Sequence, residues 1–417
     1  MIFPIILLVL AVFGAPLFTI IAASAMAGYL KEEIDLMAII IQVIGMSSLP
    51  FLSAIPLFTF AGYILSESNA PQRLVRVTRA MLGWMPGGLA LVCLAACAFF
   101  TAFTGASGVT IIALGAILYP ALKHDGYPDK FNLGLVTSAG SLGLLFAPSL
   151  PLILYGVVSS VSIDDLFRAG LAPGILMLVM LSGYSMWIAG HSDQQLHPFS
   201  FKELGSALRE AIWELPLPIV VLGGIYSGFF AVSEAAAVTA LYVLIVEVGI
   251  MREIKLPDLP RVMRESMLLV GGILIILGVS LASTNYMIDA GVPQQLLAYM
   301  SDFVSSPASF LALLLVFLLI LGAILDIFSA IVLVVPLILP IAAEYGIDPV
   351  HLGIIFLAAM QLGYLTPPVG LNLFIASYRF EKPIMNVYSA TFPFLMILLL
   401  SVLVITYWPS LSLWLLD

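Results

Sequence analysis

The sequence predicts an all-α polytopic membrane protein built from two inverted-topology repeats, each with a re-entrant helical hairpin and a broken helix. Three observations predict it: the apolar composition, two apolar segments interrupted by proline and glycine, and a spaced correspondence between the halves. Of 417 residues, 62% are hydrophobic and 9% charged, with a mean hydropathy of +1.15. Polar side chains are too few to coat a soluble fold of this size. At about 20 apolar residues per crossing of a roughly 30 Å hydrocarbon layer, the length holds around a dozen membrane segments. A net charge of −9 argues against nucleic acid, which requires basic stripes. Cys93 and Cys97 stand i, i+4 in an apolar run and read as packing residues rather than a disulfide or metal pair.

The first repeat is expected over residues 1–190. Its opening span, 2–28, has no leading basic region or clear cleavage site and reads as a retained helix. Residues 36–65, with Ser47, Ser48 and Pro50 at their middle, fit either two short passes or one pass plus an in-plane piece. From Ser66 to Met85, Arg73, Arg76 and Arg79 recur at three-residue spacing against Leu74, Val75 and Val77, the pattern of an amphipathic interfacial helix. Residues 87–121 are apolar but interrupted at Thr104-Gly105-Ala106-Ser107-Gly108, with basic residues at both ends. That fits a re-entrant hairpin entering and leaving from one side, because a full crossing would place one basic cluster outside. Residues 130–157 form a span broken at 143–151, a loop carrying Asp164, Asp165 and Arg168 follows, and 170–190 returns.

Residues 191–213 are the most polar stretch and read as a cytoplasmic arm. The second repeat, 214–417, holds spans at 214–230, 233–249 and 266–286, with Arg252, Lys255, Arg261 and Arg264 marking an inside loop. An amphipathic stretch without lysine or arginine runs from Asp289 to Ser306. The second hairpin is placed at 308–343, the second broken helix at 350–377 and a last helix at 390–408. Glu234 lies near a turn and reads as an interfacial cap. His124, His191, His197 and His351 are placed in loops and lack metal spacing.

In the second broken helix, Leu365-Thr366-Pro367-Pro368-Val369-Gly370 cannot continue a helix, since proline removes a donor and forces its predecessor out of helical geometry. Irregular backbone at membrane depth is tolerated only where protein or a water-filled cavity surrounds it. A proline kink is an equal explanation for one such break, but the break has a counterpart. At an offset of 219–220, Pro120 meets Pro340, Gly126 meets Gly346, Gly134 meets Gly353, Gly143 meets Gly363 and Pro148 meets Pro368. The first hairpin has basic ends and the second has none, so the copies point in opposite directions, with every basic residue except Arg168 inside. Inverted repeats with paired interrupted segments point to a secondary transporter with its site at mid-membrane.

Several stretches together resemble the large membrane subunit of the tripartite ATP-independent periplasmic (TRAP) transporters, of the DctM type within the ion transporter superfamily. They are Ala54-Ile55-Pro56-Leu57-Phe58, Pro86-Gly87-Gly88-Leu89-Ala90, Gly105-Ala106-Ser107-Gly108, Ala147-Pro148-Ser149-Leu150-Pro151, Ser233-Glu234-Ala235-Ala236-Ala237, Asp326 with Pro336 and Pro340, and Leu365-Thr366-Pro367-Pro368-Val369-Gly370. The resemblance covers essentially the whole chain. It departs where the family usually reads Pro-Pro-Ser and this chain has Ala147-Pro148-Ser149, and where it reads Thr-Pro-Thr-Glu against Ala231-Val232-Ser233-Glu234. The resemblance implies an elevator-type, sodium-coupled importer of organic acids such as C4-dicarboxylates or sialic acid, with scaffold and transport domains, in the bacterial inner membrane. It also implies a small four-helix membrane subunit and a periplasmic substrate-binding protein as partners, this chain being the unfused large subunit.

On that reading, one sodium ion is expected at Thr104, Gly105 and Ser107 with Gly143, Phe146 and Pro148, and a second at Gly322, Leu325 and Asp326 with Gly363, Thr366 and Gly370. The substrate carboxylate is expected between them at helix N-termini, against Ser107, Pro148, Ser149, Thr366, Pro368 and Asn372. Asp326 is the one carboxylate placed deep in the membrane, as an ion ligand, a proton carrier or a clasp on the hairpin backbone. No organic cofactor is expected. Two other readings remain open: a stand-alone ion-coupled anion transporter of the same superfamily, and a non-transporting assembly subunit. An enzyme is disfavoured, because the sequence has no HExxH, GxSxG or carboxylate pair.

Overall fold

The computed structural model describes residues 6–7, 9–10, 13–46, 49, 52–190, 199–301 and 304–416, and among these it contains helices and no strands. Ser47, Ser48 and Pro50, the segment 191–198 of the expected arm, and with it His191 and His197, lie outside the described residues. The first half runs α1 (Leu17–Lys31), α2 (Met37–Met46), α3 (Ala54–Glu67), α4 (Ala70–Leu82), α5 (Gly88–Thr104), α6 (Ser107–Ala113), α7 (Gly115–His124), α8 (Asp129–Ala139), a 3-10 turn (Leu142–Leu145), α9 (Leu150–Ser159) and α10 (Ile163–Ala189). The second runs α11 (Phe201–Glu210), α12 (Pro216–Tyr226), α13 (Val232–Leu244) with a π-helical turn (Ile245–Ile250), α14 (Leu259–Asp289), α15 (Val292–Ser301), α16 (Pro307–Ile324), α17 (Ile327–Glu344), α18 (Pro349–Gly363), α19 (Leu371–Arg379), α20 (Ile384–Tyr407) and α21 (Ser410–Leu413).

Among the described residues, six helices are long and apolar enough to cross a bilayer, and up to eight spans result if each bent pair counts as one. One bent pair is α6 with α7, at 49°, and the other is α8 with α9, at 43°. Both expected hairpins are present: α5 returns as α6–α7 through Gly105-Ala106, and α16 returns as α17 through Leu325-Asp326. Both expected broken helices are present as well, α8–α9 and α18–α19.

The correspondence between halves extends to backbone geometry. Gly126 and Gly346 both take positive φ, +84° and +71°, in the loop after each hairpin, a conformation that suits glycine. The Ala147-Pro148 and Pro367-Pro368 peptides, at matching positions, are both cis. Each hairpin packs both arms on the broken helix of its own half and reaches that of the other with its second arm: α5 meets the 3-10 turn and α16 meets α18, α7 meets α8 and α17 meets α18, while α6 also meets α19 and α17 also meets α9. These elements share one continuous apolar core. Around them, α14 packs on α1, α2, α3 and α17, and α13 packs on α3.

Three local expectations change. Asp164, Asp165 and Arg168 lie inside α10 rather than in a loop, because Ser162 caps the helix, accepting from the Asp165 amide at 3.3 Å, and the two acids suit the positive N-terminal end. Arg261 and Arg264 belong to α14. His351 lies in α18, buried, its ring nitrogens 3.3 Å from the Ser412 hydroxyl and the Thr406 carbonyl oxygen. Glu234 does cap α13, accepting from the Ala231 amide at 3.0 Å.

Candidate functional site: two facing helix breaks

At the first break, the 3-10 turn presses directly on the first hairpin. A Cβ on Gly143 would stand 2.3 Å from the Ala98 carbonyl oxygen and 2.5 Å from the Ala102 nitrogen, so only glycine permits the approach. The hairpin turns at Gly105, whose φ of +65° ends α5 and whose amide donates to the Thr101 carbonyl at 2.8 Å. Thr104 is fully buried beside Gly62 of α3, and its hydroxyl has no hydrogen-bond partner within the protein. The Gly143 carbonyl accepts from the Phe146 amide at 3.0 Å, leaving its second lone pair free. Ser149 is buried and donates to the Leu144 carbonyl at 2.6 Å, so it closes its own break. Pro148 is also buried, and the Phe146 ring packs against Gly174 of α10.

The second break repeats the plan with different fastenings. Gly322 and Gly363 meet backbone to backbone: a Cβ on Gly363 would lie 2.6 Å from the Gly322 Cα. The Gly370 amide donates to the Ala323 carbonyl at 3.0 Å, and the Ile327 amide donates to the Tyr364 hydroxyl at 2.6 Å, so the hairpin tip is tied to both sides of the break. Thr366 donates from its hydroxyl to the Leu362 carbonyl at 3.1 Å, and its amide donates to the Gly363 carbonyl at 2.9 Å. Leu325 ends α16 in an extended conformation, and Asp326 caps α17. Its carboxylate accepts from the Phe328 and Ser329 amides at 3.0 Å each and from the Ser329 hydroxyl at 2.5 Å. Of the three roles open to Asp326, the clasp on the hairpin backbone is the one its bonds display. Asp326 and Pro367 to Val369 are exposed, whereas the first break is largely buried.

The two breaks meet through one side-chain bond. The Ser107 hydroxyl, at the start of α6, donates to the Asn372 amide oxygen at 2.7 Å, and both residues are buried. The other end of that amide, Nδ2, has no partner within the protein. An unsatisfied buried donor is costly, about 1–3 kcal/mol, and here it sits in the first turn of α19, where peptide amides and the helix dipole already favour an anion.

Some of the framework was not foreseen. Thr101 bridges to Thr110 at 2.6 Å and donates to the Gly140 carbonyl at 2.8 Å, locking both arms of the first hairpin to the end of α8. Tyr364 is the second, its hydroxyl accepting from the Ile327 amide across the second break. Both are polar side chains within apolar runs, the signal that would have found them. The buried side-chain atoms without partners also include Ser138 Oγ and Gln361 Oε1, on the first halves of the two broken helices.

The family described as the tripartite ATP-independent periplasmic transporter, DctM component, matches over residues 4–411. The C4-dicarboxylate TRAP transporter large permease protein DctM of Pseudomonas aeruginosa is 36% identical over 363 residues, 87% of this chain and 85% of that protein. The ectoine/5-hydroxyectoine TRAP transporter large permease protein UehC of Ruegeria pomeroyi is 33% identical over 99% of this chain and 97% of its own length. The isethionate TRAP transporter permease protein DctMQ of Oleidesulfovibrio alaskensis is 33% identical, covering 95% of this chain and 61% of that longer protein. Among solved structures, the Alcanivorax borkumensis YdaH transporter matches with a TM-score of 0.58 at 15% identity, covering 89% of this chain and 87% of that one, a likeness of fold. With its family matched from near the first residue to near the last, the chain belongs to the DctM component of the tripartite ATP-independent periplasmic transporters, a multi-pass large permease subunit.

Proposed function

We propose that this permease is the membrane component of a sodium-coupled, binding-protein-dependent importer of organic acids, such as C4-dicarboxylates or sialic acid, in the bacterial inner membrane. The observation that carries the reading is the buried, half-satisfied Asn372 amide at the start of α19, bonded to Ser107 of the opposite hairpin. A carboxylate there would receive the orphan Nδ2 donor and the α19 dipole. Ser107, Asn372, Thr366 and Pro368 would line it on one side, Pro148 and Ser149 on the other.

Sodium is the coupling ion in this proposal, held by oxygens that the breaks release from helical bonding. Thr104, Gly105 and Ser107 with Gly143, Phe146 and Pro148 would hold one ion. The orphan Thr104 hydroxyl and the second lone pair of the Gly143 carbonyl suit that role. Gly322, Leu325, Asp326, Gly363, Thr366 and Gly370 would hold the second, with Asp326 acting through backbone and charge while its carboxylate caps α17. Movement of hairpins and broken helices as one body, an elevator, accords with the contacts each hairpin makes with both broken helices.

The partners proposed are a small four-helix membrane subunit and a periplasmic binding protein. The relatives are named for C4-dicarboxylate, ectoine and isethionate, which favours a small organic solute but does not select one. Reconstitution of the chain with both partners, assayed with candidate acids with and without sodium, tests the proposal. Uptake should require sodium and the binding protein together. Equal uptake without sodium refutes the coupling, and equal uptake without the binding protein favours a stand-alone transporter.

A further inference from the structure

Away from both breaks, a single guanidinium is surrounded by three carboxylates. Arg73, on α4, is 6% exposed, Glu214, between α11 and α12, is 3% exposed, and Glu247, in the π-helical turn after α13, is 0% exposed. Arg73 Nε donates to Glu214 Oε1 at 2.7 Å, and its Nη2 lies 2.5 Å from that same oxygen and 3.4 Å from Glu247 Oε1. Its Nη1 pairs with Glu253, whose other oxygen accepts from the Asn69 amide at 2.7 Å. The turn carrying Glu253 folds back over Glu247, the Glu253 amide donating to the Glu247 carbonyl at 2.9 Å.

Fully ionised, the cluster would hold three negative charges against one positive in a site nearly closed to water. Burial opposes ionisation of Glu253, but hydrogen bonds from Arg73 and from Asn69 outweigh it and hold Glu253 below the ordinary carboxylate range. Glu253 and Arg73 therefore form a neutral pair. The remaining two carboxylates, Glu214 on Nε and Nη2 and Glu247 on Nη2 alone, draw on the same guanidinium with no second cation beside them. A second observation is independent of charge: Glu214 Oε2 is buried without a hydrogen-bond partner. Glu214 also borders a crevice with apolar walls, Leu65, Phe99, Phe103 and Leu217 among them. A buried carboxylate oxygen left without a donor is costly.

The neighbouring charges do not relieve the excess. Arg76 pairs with Glu203 and Glu210, and Arg261 with Glu67 and Glu265. Arg252 and Lys255 are exposed on the next turn, and the Tyr242 hydroxyl donates to the Trp213 carbonyl. No group of three or more His, Cys, Asp or Glu among the described residues is arranged to hold a metal ion.

We propose that the Arg73 cluster is a proton-binding site, holding one proton between Glu214 and Glu247 and releasing it at the expense of the contact between α4 and the ends of α12 and α13. The proton belongs to the pair rather than to either residue. Because α4 leads directly into α5, the first arm of the first hairpin, proton occupancy sets how firmly that hairpin's entrance is anchored. This inference stands apart from the sodium and substrate sites and holds or fails without them.

Infrared difference spectroscopy of the purified full chain, titrated from about pH 5 to about pH 9, tests it. The wild type should show a protonated-carboxyl band that bleaches as pH rises. Glu214→Gln and Glu247→Gln, each carrying a neutral amide in place of the acid, should lose that band. Glu253→Gln removes one negative neighbour, so its band should bleach about one pH unit lower, a tenfold loss of proton affinity. Melting temperature gives a second readout. The folded cluster binds a proton that the unfolded chain releases at lower pH, so the cluster's own contribution to stability falls as pH rises through its titration. Glu247→Gln should remove that fall. A band retained in both Glu214→Gln and Glu247→Gln overturns the proposal. So does a wild-type protein that shows no protonated-carboxyl band anywhere in that pH range.

Discussion

Ser107 and Asn372 lie 265 positions apart and are joined by a 2.7 Å hydrogen bond, the Ser107 hydroxyl donating to the Asn372 amide oxygen. The bond ties the tip of the first hairpin to the second half of the opposite broken helix. Ser107→Ala should cost about 1 kcal/mol of stability and leave both ends of the Asn372 amide unpaired. Uptake by the reconstituted transporter should fall about tenfold, equivalent to about 1.4 kcal/mol of lost binding. Asn372→Ala should reduce it further, since the orphan donor goes too. Unchanged uptake in both variants would remove the substrate assignment.

Gly322 and Gly363 meet with no room for a side chain between them. Gly363→Ala places a methyl 2.6 Å from the Gly322 Cα, where backbone rather than a flexible side chain must move. A loss of about 1–3 kcal/mol in stability is expected, together with loss of any thermal stabilisation by sodium. Gly271→Ala, in α14 with open space around the new methyl, serves as the control. It should be neutral or stabilising by up to about 1 kcal/mol.

Asp326 separates capping from ion ligation by side chain. Asparagine keeps the oxygen that accepts from the Phe328 and Ser329 amides, whereas alanine does not. Asp326→Asn should retain most stability and Asp326→Ala should lose about 1 kcal/mol. If sodium dependence survives in Asp326→Asn, the carboxylate charge is not essential to coupling. If it disappears there while folding is intact, the charge is a direct participant.

Thr366→Val keeps the shape of the side chain and deletes the hydroxyl that donates to the Leu362 carbonyl. Sodium-dependent uptake should weaken, seen as a several-fold higher sodium concentration for half-maximal rate, with membrane insertion unchanged. The same measurement on Ser107→Ala should move in the same direction. Sodium dependence identical to wild type in both variants would dismiss the ion assignment.

Much of the architecture was legible because membrane helices advertise their interruptions. Proline and glycine clustered at Gly143, Pro148, Gly363 and Pro368 disfavour a continuous helix, and the matched spacing revealed the repeat, although Pro336 and Pro340 are accommodated inside α17. Polar residues were harder to place. Asp164 and Asp165 looked like a loop because charge interrupts an apolar run, yet a serine cap and the helix dipole make them a helix start. Arg73 looked like an interfacial residue, and its periodicity was read correctly, but its three carboxylate partners come from turns 141 to 180 positions away.

The sequence by itself determined the membrane class, the two hairpins, the two breaks and their pairing, because each follows from local hydropathy and from clustered proline and glycine repeated at one spacing. Only the tertiary structure decided which hairpin faces which break, that Ser107 finds Asn372, and that Asp326 spends its oxygens on its own helix. Those outcomes depend on long-range approach between backbones, governed by where glycine leaves room, and no one-dimensional pattern records which two glycines will meet.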